Sequence, residues 1–421
     1  MKNKMLLVFA CMACGALSAA AQVVQSGGWK TSFGVDERLR VESKDNFDFN
    51  GSLDDSGGFM YQRLKLSAKA ELPGKYELFA EGMDLHAVNA HLRKPVQEDY
   101  ADLHQAYALV KGKVFGQALE LKAGRQELKY GQGRMVWAAT WGNRINHLDA
   151  AVLKYKSGGL SADAFYGSRV FYDMEHWNYP NRQDMLAGTY VSYRKSKDAP
   201  LVEGYYLSNF NSASLSVLNR QTVGLRGQFR LPGAVLCDLE LPYQFGKSAL
   251  KTVDAYAFHL DLSREFARAW SPRVAVTVNY ATGDNSAADA VNHTFVPLYQ
   301  APHDPYGVMD FFRWQNMKEA ALEVSVKPVK DLKITAGTNY FWLAQKKGSW
   351  YDSAGAVLRT SAAGIAGDYV GQEASLLVKY DLGGGAGLDG GYARFFAGEF
   401  VENTGQHDNA DLLYFQFNLK L

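Results

Sequence analysis

The chain of 421 residues carries 45 basic and 44 acidic side chains, a formal charge of +1, with 13% aromatic residues, 40 glycines and three cysteines. A balance so close to neutral excludes a general nucleic-acid binder, which needs a basic surface. The length fits two soluble domains or one large barrel, and a composition rich in Gly, Tyr, Phe and Trp favours β-structure.

The first residues, MKNKMLLVFACMACGALSAAA, place Lys2 and Lys4 ahead of an apolar run that closes on Ala19, Ala20 and Ala21. This pattern predicts a secretory signal peptide over 1–21, cleaved before Gln22. The run is shorter than the roughly 20 residues of a spanning helix. No Leu-rich stretch leads into a cysteine as a lipoprotein site requires. Loss of Lys2 and Lys4 leaves 43 basic against 44 acidic side chains, a charge of −1. Cys237 is then the only cysteine, so an exported protein must hold together without an intrachain disulfide.

Beyond the leader, period two recurs. In RLKLSAKAE, Leu64, Leu66, Ala68 and Ala70 oppose Arg63, Lys65, Ser67, Lys69 and Glu71. TVGLRGQFRL, AYAFHLDLS, RVAVTVNYA and the final DLLYFQFNLKL alternate in the same way. Each reads as a strand between an apolar and a wet environment. A soluble sandwich alternates too, so the connections decide. About 18 strand-like segments can be counted by this period. Short links such as ELPGKY, KSGG, LPGA and DLGGGAG alternate with long ones near 43–58, 85–100, 125–148, 170–185, 283–316, 346–371 and 397–410. Tight turns at one end and long loops at the other mark an antiparallel transmembrane β-barrel, with periplasmic turns and extracellular loops. The prediction is one all-β barrel domain over 22–421, closed because lipid tolerates no strand edge, in a Gram-negative outer membrane. Tyr280, Tyr340 and Trp342, near strand ends on the outward face, read as interfacial girdle.

The segment GRQELKYGQGR, 124–134, packs three glycines and two arginines into the start of the third long link. It lacks G-x-x-x-x-G-K-[ST], and no helical stripe follows, so it is not a phosphate loop. Its glycines serve sharp turns. Arg125 and Arg134 are placed at the pore mouth, either meeting solute or pinning the loop to the wall by charge-assisted bonds.

GRQELKYGQGR with the DAAVLKY strand, and TGDNSAADAVNHTFVPLYQAPHDPYGVMDFFRWQNM, together resemble the alginate export family of outer-membrane proteins. Gly283, Asp284, Phe295, Pro297, Leu298, Tyr306, Gly307, Met309, Asp310, Trp314, Gln315 and Asn316 fill the places of that pattern. FWLAQKKGSWYDSAG and GYARFFAGEF extend it. The resemblance implies a monomeric 18-stranded barrel that passes anionic polysaccharide.

Strand parity gives the lumen candidates. Arg38 and Arg40 oppose Leu39 and Val41; Arg63, Lys65 and Lys69 oppose the leucines and alanines; Arg226 and Arg230 oppose Leu225 and Phe229. Lys122, Lys154 and Lys379 join them, with Asp36, Glu71, Glu120, Asp261 and Glu323 as inward acids. These charges either pair across neighbouring strands or meet solute, and Arg suits carboxylates best. A barrel lipase or protease would need Ser, His and Asp gathered at the rim. The histidines are scattered, with His259 on a lumen position and His293 and His303 near Asp304, and there is no H-E-x-x-H or cysteine-based metal spacing. The expected function is therefore passive passage of a hydrophilic, anionic solute, and the resemblance implies that this solute is a polysaccharide or oligosaccharide. No catalytic, metal or cofactor site is expected. The expected partners are outer-membrane lipids and periplasmic export or degradation machinery. A barrel enzyme or a solute-specific uptake porin is the alternative.

Overall fold

A computed structural model describes residues 24–52, 57–88, 97–214, 217–286, 288–303 and 305–421; the leader expected over 1–21 lies outside them. The barrel strands are β1 (Trp29–Asp45), β2 (Gly57–Leu72), β3 (Tyr76–Val88), β4 (Asp99–Val114), β5 (Gln117–Gln126) and β6 (Leu148–Ser157). They continue as β7 (Leu160–Phe171), β8 (Tyr179–Tyr193), β9 (Leu201–Phe210), β10 (Leu218–Leu231), β11 (Val235–Ser248) and β12 (Lys251–Glu265). The last six are β13 (Arg273–Ala281), β14 (Met317–Val329), β15 (Leu332–Leu343), β16 (Tyr369–Gly383), β17 (Ala386–Ala397) and β18 (Ala410–Lys420). Each pairs antiparallel with the next, and β1 pairs with β18 from Asp36↔Lys420 to Asp45↔Asp411. The sheet closes without an edge, as backbone in lipid requires.

The period-two sequences sort onto two faces. Leu66, Leu225, Leu413 and Phe415 are more than half exposed on the outside, while Arg38, Arg63, Arg226 and Glu240 on the alternate positions are buried. A soluble protein with so broad an apolar outside would aggregate; a lipid-embedded barrel needs it. Trp342 lies 5.7 Å from the Tyr369 ring and Tyr256 5.7 Å from Tyr280, forming outward aromatic clusters near one rim.

Turns alternate by rim, with two refinements. The links 211–217 and 249–250 lie on the long-loop rim although they are short. Length alone therefore does not assign a rim. The 249–250 hairpin is overlaid by the longest loop, 282–316, whose Val291–Asn292 pairs parallel with Thr252 and Val253.

The main apolar cluster sits inside the barrel, built by loops that fold inward. Phe295, Tyr306, Phe312 and Trp314 of loop 282–316, Trp350 of loop 344–368 and Phe400 of loop 398–409 are at most 2% exposed. They pack with the lumen-facing Phe341 and Phe395. Phe312 stacks on Phe341 at 3.8 Å, and the Trp350 indole donates to the Phe311 carbonyl at 2.9 Å.

Candidate functional site

Loop 127–147 leaves β5 and descends into the lumen. Leu128, Met135, Val136 and Ile145 draw it inward by burial, each contributing on the order of 1.5–3 kcal/mol. Its turn at 140–142 is clasped from the wall. Arg38 on β1 donates to the carbonyls of Thr140 (2.8 Å), Trp141 (2.8 Å) and Gly142 (3.2 Å) and to Asn143 Oδ1 (2.9 Å). Arg63 on β2 donates to the Thr140 and Gly142 carbonyls at 2.9 and 3.1 Å. Arg40 lies 3.8 Å over the Trp141 ring and pairs with Glu42 at 2.6 Å. His303 stacks on the other side of Trp141 at 3.6 Å; Asp304 lies outside the described residues. At the loop's end, burial pushes the His147 imidazole down to about 3, with His104 reinforcing the shift.

Across the lumen the pattern changes. Arg226 on β10 pairs with Glu203 on β9 and Asp238 on β11. Arg134, carried down by loop 127–147, pairs with Glu240 at 2.7 Å and Asp238 at 3.4 Å and donates to His259 at 2.5 Å. Its place in the third long loop puts Arg134 at the mouth in the sequence, yet the structure seats it well inside, because the apolar residues beside it carry the loop inward. Both of these guanidiniums meet carboxylates. An aromatic ladder of Tyr130, Tyr190 and Tyr205, spaced 4.8 and 5.5 Å, leads to Glu240, which accepts from the Tyr205 hydroxyl at 2.8 Å.

Loops 127–147 and 282–316 are joined inside the barrel. Trp137 N donates to the Tyr299 carbonyl at 2.7 Å, and Tyr299 N to the Met135 carbonyl at 2.9 Å. Beyond this join, Arg313 donates only to the Pro297 and Ala354 carbonyls. Burial lowers it to about 10, Arg220 adding to the shift, so it stays charged at neutral pH. Arg220 on β10 is 6% exposed and donates to Ser248 Oγ at 3.2 Å. Among the described residues, neither makes an ion pair with a carboxylate.

The remaining candidates divide. Lys65 pairs with Asp36 at 3.0 Å and Lys69 with Glu71 at 3.6 Å. Arg125 grips Asp149 through two nitrogens and donates to the Asn178 carbonyl, pinning one loop base to another. Lys154 pairs with Asp163 at 3.2 Å, and Lys122 lies 3.7 Å over the Tyr107 ring. Arg230, near the short-turn rim, is exposed, and Lys379 lines a cavity there with Lys333 and Lys420. Parity also reaches Arg220, on the face of Arg226, although the sequence reading does not single it out. Arg313 lies within the FFRWQN stretch without being singled out either.

A closed 18-stranded antiparallel barrel with an apolar outside, a charged lumen and inward-folded loops is an outer-membrane channel. The profile of the alginate export family matches residues 29–415, and the chain belongs to that family. The fold is similar to OpdO (OccK3) of Pseudomonas aeruginosa, with a TM-score of 0.63 and 15% identity over 93% of this chain and 97% of that one. OpdK of the same organism superposes with a TM-score of 0.65 at 11% identity, over 93% and 98% of the two chains. A structure of OpdK with vanillate gives 0.63 at 12%, over 92% and 98%. No curated protein matches in sequence.

Proposed function

We propose that the barrel conducts a carboxylate-bearing saccharide, an anionic polysaccharide or its oligosaccharides, by passive diffusion and without catalysis. The observation that carries this reading is a set of four buried guanidiniums, Arg38, Arg63, Arg220 and Arg313, satisfied only by neutral oxygens. Buried charge is ordinarily paired. Left without a carboxylate partner inside the barrel, it holds a positive potential that raises the local concentration of anions. At the short-turn rim Lys327, Lys330, Lys333, Lys379 and Lys420 outnumber Asp331, Asp381 and Asp389 around one cavity and extend that potential to the periplasmic mouth. Family membership supports a saccharide of this charge.

In planar bilayers under a salt gradient, the purified protein should show a zero-current potential on the anion side, and polyuronate should block the current. A cation-selective wild-type channel would overturn the reading. Uptake of small carboxylates is the second reading, favoured by the structural neighbour seen with vanillate. Block by vanillate but not by polyuronate would select it.

A further inference from the structure

We propose that Glu81, His104 and Glu127 form a binding site for a divalent transition-metal ion of the zinc class, which fastens the base of loop 127–147 to the barrel wall. Three consecutive elements supply the donors: Glu81 from β3, His104 from β4, and Glu127 from the first position after β5. Their ligand atoms all lie within 4.8 Å of one another. His104 Nε2 stands 2.9 Å from Glu127 Oε1 and 3.8 Å from Glu81 Oε1. Donors about 2.1 Å from a tetrahedral zinc would stand roughly 3.4 Å apart, which these two distances bracket. Small side-chain rotations suffice.

The wall is shaped for this convergence. The β3–β4 register shifts between Glu81 and Gly82, so that Glu81 pairs with Gln105 and Gly82 with Leu103. The residue skipped is His104. A bulge of this kind puts two consecutive side chains on one face, and both His104 and Gln105 reach Glu81. Gln105 supports both carboxylate ligands, donating through Nε2 to Glu81 Oε1 at 3.1 Å and accepting from Glu127 N at 3.2 Å. Supporting bonds of this kind orient metal ligands. His104 is 1% exposed, its Nδ1 has no hydrogen-bond partner, and the ring is oriented by its Nε2 contacts and by the His147 ring, edge-to-face at 4.8 Å.

One imidazole and two carboxylates suit zinc and neighbouring transition ions, whereas calcium and magnesium take oxygen ligands. Two ammonium groups stand by the carboxylates, Lys129 at 2.5 Å from Glu127 and Lys65 at 4.0 Å from Glu81. The Lys129 side chain is 42% exposed and can swing to solvent when an ion takes its place.

The test is calorimetric titration of zinc into the full barrel refolded in detergent, free of lipopolysaccharide phosphates. One saturable site is expected, weakened about tenfold or more in His104→Gln and in Glu127→Gln and unchanged in the control His293→Gln. Calcium should not compete. Folding is checked by heat-modifiable mobility, and Glu127→Gln, which lies outside the strands, carries the test if His104→Gln does not fold. Zinc should also slow amide exchange over 127–131. Absence of a saturable site, or affinity unchanged in the folded variants, would overturn the site; binding without slower exchange would overturn the fastening. Both readouts are independent of conduction, so failure of the channel reading leaves them intact.

Discussion

Arg226 and Arg134 on one wall of the lumen are held by Glu203, Asp238 and Glu240, whereas Arg38 and Arg63, nine and eight strands away, donate to backbone carbonyls of residues 140–142. All four are buried and all four touch either loop 127–147 or the wall that receives it. The paired wall cancels its own field and acts as a brace. The clasp holds its loop just as firmly while keeping its charge, because a carbonyl satisfies the N–H groups without neutralising them. Position on the lumen face thus does not say whether an arginine remains available to an anion. The acceptor does.

The strongest way to break this contrast is Arg226→Glu, which removes the counter-charge and gathers another acid beside Glu203, Asp238 and Glu240. Breaking a buried pair costs about 3–5 kcal/mol, so folded, heat-modifiable barrel should largely vanish from gels; normal yield would remove the structural role. Next, Leu225→Lys on the lipid face of the same strand should cost about 2–4 kcal/mol near the bilayer midplane, read by urea titration in vesicles. A silent result would mean the two faces are exchanged, since a one-residue slip swaps them.

Smaller effects sharpen the other side. Arg38→Gln combined with Arg63→Gln should loosen loop 127–147 and move the zero-current potential toward cations while the barrel still folds, since the lost bonds to the loop carbonyls are offset by relief of two buried charges that no carboxylate pairs. Arg220→Gln should change stability by no more than about 1 kcal/mol, since it relieves an unpaired buried charge, yet still reduce anion preference. That loss should fade as the Debye length falls from about 10 Å at 0.1 M to 3 Å at 1 M salt. An unchanged potential at 0.1 M would show that Arg220 does not face the conducting path. Cys237→Ser should leave the yield of folded barrel unchanged and lower stability by about 1 kcal/mol in the same urea titration, because the thiol has no disulfide to lose but is buried where a hydroxyl replaces it.

Alternation in segments such as RLKLSAKAE and DLLYFQFNLKL made the barrel legible, because a strand between lipid and water has no other way to satisfy both faces. The same parity places Arg38, Arg40, Arg63 and Arg226 in the lumen. It fails where the chain leaves the ladder. Arg134 rides on a loop whose depth is set by tertiary burial, and the bulge at Glu81 shifts the parity that would otherwise turn His104 and Gln105 to opposite faces. Link 249–250 is as short as a periplasmic turn because a neighbouring loop, 282–316, covers the rim there. The acceptors that separate Arg38 from Arg226 are contacts between residues far apart in the chain, 102 positions for Arg38 and Thr140, and no local pattern carries them.

The join between Met135–Trp137 and Tyr299 has a consequence for how current through one molecule would look. Two loops rooted eight strand positions apart share backbone bonds inside the barrel, so neither can withdraw while the other stays. Recordings from single barrels should therefore show abrupt full-amplitude steps with few intermediate levels. Tyr299→Pro, which deletes the amide that Met135 accepts, should split those steps into sublevels as each loop begins to flicker on its own clock.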